Sequence, residues 1–342
     1  MVLLKRFKFV LLLLILTSFA LLINGYSYLN QPLDIVEQNI EIMPGSGFSQ
    51  ITAQFHQRDI ISNPLVWKIY ARITSKAKRV QAGEYQLDAG VTPIELLEKL
   101  VKGDVVLHQI TLVEGWSFTQ LLQTLQANKK LEHQLARLTH SEVMAALAKP
   151  DEHPEGRFFP DSYQFTSGTS DVDILQRAYQ RLSAILDEEW SQRAKDLPYK
   201  TAYEALIMAS IVEKETGQAT ERAEIAGVFV RRLNKKMRLQ TDPTVIYGLG
   251  DSYQGNIRRK HLKEPTAYNT YVIRGLPPTP IAMVGREAIH AVLHPKSGKS
   301  LYFVAKGDGS HFFSDTLAQH NQAVRRYQLK RDEQYRSSPN SN

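Results

Sequence analysis

One stretch constrains this chain more than any other: Ala205-Leu206-Ile207-Met208-Ala209-Ser210-Ile211-Val212-Glu213-Lys214-Glu215-Thr216-Gly217. It reads as a helix that is apolar almost all round for about two turns, which predicts a buried core helix. Two carboxylates then stand at its very end, with Gly217 as the expected stop. A carboxylate at a helix C-terminus meets the negative end of the dipole, unfavourable by roughly 0.3–1 kcal/mol. Partial burial also disfavours its ionised form. Both effects raise a glutamate pKa, as a general acid requires. The plainer alternative is a glutamate paired with Arg or Lys. Glu213 and Glu215 lie about 200° apart round a helix. Each follows an apolar stripe, Leu206 and Ala209 for one and Met208 and Ile211 for the other, so the pattern does not choose between them.

The chain has 342 residues, 43% hydrophobic and 23% charged, enough for two or three globular domains. It contains no cysteine, which excludes disulfides, thiolate metal sites, cysteine nucleophiles and a lipoprotein anchor. The net charge of +7 favours an acidic partner, but Lys and Arg are spread along the chain, so no nucleic acid is expected. Lys5, Arg6 and Lys8 precede an apolar run from Phe9 to Ile23, broken only by Thr17 and Ser18. Continued through Asn24, Gly25, Tyr26 and Tyr28, it reaches the roughly twenty residues a membrane span needs. The tyrosines stand where interface anchors would. A signal peptide has the same charge pattern, but no A-x-A cleavage site follows, which favours an uncleaved anchor. Residues 1–8 are then cytoplasmic, 9–29 cross the membrane, and the rest is exported.

Residues 30–125 contain an internal repeat. Ile40-Glu41-Ile42-Met43-Pro44-Gly45-Ser46-Gly47-Phe48-Ser49-Gln50-Ile51 matches Ile110-Thr111-Leu112-Val113-Glu114-Gly115-Trp116-Ser117-Phe118-Thr119-Gln120-Leu121. A weaker copy begins at Tyr85 and runs to Leu97. Each copy predicts a short strand, a glycine turn, a Ser/Thr cap and an amphipathic helix, with caps at Ser49 or Ser46, Thr92 and Ser117. No such unit buries its own apolar face, so the copies should pack together in a small α+β module. The pattern resembles a LysM-like module, a fold associated with N-acetylated glycans. A repeated structural unit with no binding role is the alternative.

Residues 126–153 read as a helical, polar connector with Leu131, Leu135, Leu138, Val143 and Leu147 as its apolar positions. Residues 154–330 form the expected catalytic domain, of mixed α+β class, and 331–342 a disordered tail. The domain opens on an aromatic-rich loop, Glu155 to Phe165, suited either to sugar rings or to packing on the core. Helices are expected from Val172 to about Arg193, after a cap at Thr220, from Arg286 to His294 and from Asp315 to about Lys330. A hairpin is expected around Asp308-Gly309. Between them Arg238 to Gly250 reads as a turn-prone, polar-lined cleft.

Other chemistries fit poorly. Gly298-Lys299-Ser300 lacks the upstream glycine of a P-loop and leads into a strand. His290 and His294 have zinc-like spacing, but the glutamate of H-E-x-x-H is absent and Pro295 follows, so no metal and no cofactor is expected. No G-x-S-x-G elbow is present.

Several long motifs closely resemble the YceG-like endolytic murein transglycosylases. They are Met208 to Thr216, Arg238 to Gly248, Thr266-Ala267-Tyr268-Asn269-Thr270-Tyr271, Gly275-Leu276-Pro277-Pro278 and Phe158-Phe159-Pro160-Asp161. The resemblance covers nearly the whole chain, anchor included. It implies cleavage of β-1,4 bonds between MurNAc and GlcNAc inside nascent glycan strands, 1,6-anhydro-MurNAc ends, and termination of glycan elongation at the inner membrane. It also implies a periplasmic catalytic domain and enzymes of cell-wall synthesis as protein partners. In that family the catalytic acid is the second glutamate of the E-K-E-T motif, here Glu215. Such an enzyme uses the sugar's own C6 hydroxyl in place of water, so one glutamate can first donate and then accept a proton. Gln240, Asp242, Thr244, Tyr247, Tyr268 and Asn269 are the candidates for holding sugar hydroxyls and N-acetyl groups. The rival readings are a hydrolytic muramidase and a membrane-tethered, non-catalytic peptidoglycan-binding scaffold.

Overall fold

The computed structural model describes residues 2–328, so the expected tail at 331–342 lies outside the described residues. The fold class is α+β, with short two-stranded sheets among helices. The chain divides into two compact units: Met1–His108 with Gln164–Gly168, and Gln109–Tyr163 with the chain from Thr169 onward.

The first unit begins with helix α1 (Val2–Asn30). Within its segment Lys5–Asn30 an eighteen-residue stretch has a mean hydropathy of 2.3, and the segment is long and apolar enough to cross a membrane. Next come β1 (Gln38–Ile42), α2 (Phe48–Gln57), α3 (Pro64–Ile73), β2 (Gly83–Leu87) and α4 (Pro93–Lys102). β1 and β2 pair antiparallel, Ile40 opposite Tyr85. Their inward side chains, with Ile51, Phe55, Trp67, Leu96, Leu97 and Leu100, form one apolar core.

The repeat is real at the level of local structure. Each copy turns on a glycine of left-handed φ, namely Gly45 (φ 79), Gly90 (φ 79) and Gly115 (φ 76). Thr92 caps α4, and Ser117 caps the corresponding third helix, each in a reciprocal capping box. The first copy differs from expectation. Its cap is Gly47, neither Ser46 nor Ser49, and Gln50 Oε1 accepts from the Gly47 N–H to close the turn. The copies also do not form one sheet. The third strand, β3 (Leu107–Thr111), pairs with a later strand, and helix α5 (Phe118–Ala127) belongs to the second unit.

The expected helical connector contains only one helix, α6 (His140–Ala146). Leu131 and Leu135 are buried as expected, but on turns. The reason is Asp171, whose carboxylate accepts from the N–H groups of Gln134 and Leu135 at 3.0 and 3.2 Å and so takes donors a helix would use. The aromatic stretch after it is a buried segment, with Phe158 fully and Phe159 largely covered, leading into β4 (Ser162–Thr166).

The remaining elements are α7 (Asp171–Ser191), α8 (Ala202–Glu215), α9 (Ala219–Asn234), α10 (Asp242–Leu249), α11 (Arg286–Leu293), the hairpin β5 (Tyr302–Ala305) and β6 (His311–Ser314), and α12 (Leu317–Tyr327). Two expectations need correction. Thr220 does not cap α9, which starts after Gln218. The turn-prone segment at 238–250 becomes α10, because Pro243 falls in the first helical turn, where its missing N–H has no partner to lose.

Helix α8 is the hub. Residues Ala205 to Val212 are all buried, and α7, α9, α10 and α11 pack against it. Each fully buried Leu, Ile or Met stabilises by about 1.5–3 kcal/mol. Ser210, the polar exception, donates to the Ile207 carbonyl (2.7 Å) and accepts from the Ile281 N–H (2.9 Å). The helix ends as Thr216 turns extended (φ −145, ψ 132); Gly217 does not take the left-handed φ of a glycine stop.

Candidate active site

The two acids at the end of α8 have separate surroundings. Glu213 Oε2 accepts from the N–H of Gly285, the N-cap of α11 (3.1 Å), and its Oε1 lies 3.4 Å from Arg222 Nη2. An anion at a helix N-terminus beside a guanidinium is a structural arrangement. Burial and neighbouring Glu114 nevertheless raise the Glu213 pKa.

Glu215 opens instead on a cavity of about 560 Å³. Its Oε1 accepts a hydrogen bond from the Thr241 hydroxyl. Burial pushes its pKa up to about 7; Asp242 adds to the rise, while the Thr241 hydrogen bond and the Arg232 charge oppose it. A carboxyl group at that value both gives and takes protons near neutrality.

The cavity wall comes from distant segments: Arg232 on α9, Leu239, Gln240 and Asp242, Tyr271, the β5–β6 hairpin, and His320 and Asn321 on α12. Arg232 is buried and donates to three backbone carbonyls: Leu301 (2.7 Å), Arg238 (3.2 Å) and Leu239 (2.8 Å). Its guanidinium also lies over the Tyr302 ring, 5.0 Å from the centroid. His320 also stacks on Tyr302; its Nδ1 is buried without a protein partner, and burial pulls its pKa down. Arg232 and His320 were not legible in the sequence, because no local motif joins α9 to a helix about ninety residues later.

The expected substrate residues divide in two. Gln240 and Asp242 line the cavity. Gln240 holds a left-handed backbone (φ 52), unusual for a residue other than glycine and typical of strained functional positions. Asp242 accepts from the Tyr271 hydroxyl at 2.7 Å. The other four have their polar atoms engaged inside the protein. The Thr244 hydroxyl meets Thr241 O and Thr270 Oγ1, both at 2.8 Å. Tyr247 donates to Glu155 (3.0 Å), and Tyr268 meets Thr279 (2.7 Å). Asn269 Nδ2 donates to the carbonyls of His261 and Glu264, and Oδ1 accepts from Tyr271 N. Glu155 is itself a buried carboxyl, raised by burial to about 7 and bonded to Phe118 N.

Glu189, His290 and His294 could converge on one ion. Their atoms are already committed, however: Arg286 and His290 hold the Glu189 carboxylate at 2.7 and 2.8 Å, and His294 Nε2 meets the Gln192 carbonyl at 2.9 Å. We read the cluster as an ion-pair network.

The acid's environment supports a test. The Thr241 hydroxyl favours the ionised form of Glu215, so Thr241→Val should raise its pKa further. The alkaline limb of the pH–activity profile should then move to higher pH, read from kcat/KM across pH with purified protein.

Together these features define a class: an α+β protein with a buried carboxyl group, raised close to neutrality, that opens on a polar cleft. The sequence profile of the YceG-like family matches residues 40–326, and the chain belongs to that family. It is 33% identical over 313 residues to a Bacillus subtilis protein named endolytic murein transglycosylase, covering 86% of each chain. A Streptococcus pneumoniae protein of the same name is 26% identical over 340 residues, covering 88% of this chain and 61% of that one. The crystal structure of a YceG-like protein from Listeria monocytogenes aligns with a TM-score of 0.54 at 27% identity, over 84% of this chain and 98% of that one.

Proposed function

We propose that this chain is a membrane-anchored lytic transglycosylase that cleaves the MurNAc-β-1,4-GlcNAc bond inside nascent peptidoglycan strands. The products carry 1,6-anhydro-MurNAc ends, and the cut ends strand elongation. Family membership and the names of the relatives support the reaction class. The observation that carries the mechanism is Glu215, near neutrality in a polar cavity with the Thr241 hydroxyl on its carboxylate.

Glu215 protonates the glycosidic oxygen as the bond breaks. The resulting carboxylate then takes the proton of the C6 hydroxyl as that oxygen closes on C1. The proton balance is zero, and no water is consumed. Gln240 and Asp242 contact the sugar directly, while Thr244, Tyr247, Tyr268 and Asn269 hold the wall behind them. Residues 30–125 serve as a LysM-like module on the glycan. Residues 9–29 span the inner membrane, with the N-terminus cytoplasmic and residues 154–330 periplasmic, beside enzymes of cell-wall synthesis.

One observation favours a second reading. Asp242 shares the cavity, and glycoside hydrolases pair an acid with a carboxylate that activates water. Mass spectrometry of sacculi digested with the purified protein decides. Muropeptides lighter than the hydrated form by one water are expected. Hydrated products alone would establish the muramidase, and no cleavage by the wild type would establish a scaffold.

A further inference from the structure

We propose that α3 lies in the membrane interface as an amphipathic helix, with Leu65, Ile69 and Ile73 in anionic lipid; this rests on reading α1 as a membrane span. The three side chains are 65%, 47% and 78% exposed and follow one another at helical spacing. The opposite face is committed to the core, where Trp67 and Ala71 are fully buried. An isolated exposed leucine is ordinary, but a continuous apolar stripe on one helix calls for a partner.

The position of α3 against α1 says what that partner is. Gly25 lies so close to Val66 that an added Cβ would sit 3.6 Å from its Cγ1. Three residues further along α1, the Tyr28 hydroxyl accepts from Asn63 N, just before α3 begins (3.1 Å). A span of roughly twenty residues that starts after Lys8 ends near Tyr28. The start of α3 is therefore level with the lipid boundary. An apolar stripe held there meets lipid, because the alternative is to hold it in the headgroup layer without cover.

Charge agrees. From Ile60 to Gly83 the chain carries five basic residues, Lys68, Arg72, Lys76, Lys78 and Arg79, and no acid. Lys68 and Arg72 flank the apolar stripe on its own helix, the pattern of a helix that binds an anionic bilayer surface. Lys76 is paired with Glu98, which leaves Arg72, Lys78 and Arg79 as exposed cations of this run. The anchor then does more than tether. It fixes the first unit against the bilayer at a second point.

The full chain has no cysteine, so single-cysteine variants label cleanly. Leu14→Cys, Ile69→Cys, Ile73→Cys and Lys195→Cys would each carry an environment-sensitive fluorophore. Each is reconstituted in phosphatidylethanolamine and phosphatidylglycerol vesicles containing lipid nitroxides. Ile69 and Ile73 should be quenched by a nitroxide near the headgroup about threefold more than Lys195. Leu14 should be quenched by a nitroxide deep in the acyl chains. Solvent-like labels at Ile69 and Ile73 with Leu14 quenched would overturn the inference and leave the span standing. An unquenched Leu14 would remove the span and the inference with it. Labels shielded from aqueous iodide but untouched by lipid nitroxides would mean that protein, not lipid, covers this face, which also overturns it.

Discussion

Glu215→Gln is expected to reduce glycan cleavage by roughly 10³-fold or more, since in the proposed mechanism one group supplies both proton transfers. Glutamine keeps the shape and can still accept from Thr241, so the loss reports chemistry and not collapse. Stability supplies the check. The folded pKa of Glu215 is raised from 4.5 to about 7, so between those values the folded state binds more protons than the unfolded state. Stability is therefore lost as pH rises through that window, and above it the buried carboxylate is a standing cost. Glutamine has no such cost. The variant should melt above the wild type at about pH 8, and the gap should close near pH 5. Thermal scans at the two pH values, run beside the muropeptide assay, test both halves. Unchanged cleavage by the variant would remove Glu215 from the mechanism.

Arg232→Met should give a large loss of stability near the site, about 3 kcal/mol or more, since each buried carbonyl left unpaired costs about 1–3 kcal/mol. Methionine fills much of the space but supplies none of the three donors, so the carbonyls of Arg238, Leu239 and Leu301 lose their shared partner. Those carbonyls belong to the segment that presents Gln240 to the cavity and Thr241 to Glu215, and to the strand entry that carries Tyr302. Activity should fall with stability, and the Glu215 pKa should rise, because Arg232 favours its ionised form. Chemical denaturation gives the first effect and the pH–activity profile the second. Arg232→Lys should recover only part of the stability, since an ammonium cannot reach three carbonyls in the geometry of the planar fork.

Much of this was legible in the sequence because its causes are local. The glycine turns at Gly45, Gly90 and Gly115, the boxes at Thr92 and Ser117, and the buried run from Ala205 to Val212 all follow from neighbours within a few residues. Misreadings arose where a distant group intervened. Asp171 takes the amides of Gln134 and Leu135, which breaks the expected connector helix. Thr244, Tyr247, Tyr268 and Asn269 are legible as polar positions, but their partners Thr270, Glu155, Thr279 and neighbouring carbonyls come from segments that no local pattern joins.

The sequence by itself determined a buried helix with an acidic end, an apolar N-terminal segment and a repeated strand–turn–helix unit. These depend on periodicity and on backbone rules that act over one or two turns. Only the tertiary structure gave the two glutamates different fates. Glu213 meets the N-terminus of α11 and Arg222, while Glu215 meets Thr241 in a cavity shared with Arg232, Tyr302 and His320. A carboxylate's proton affinity is set by burial and by charges brought in from distant parts of the chain, and no spacing along the helix encodes those.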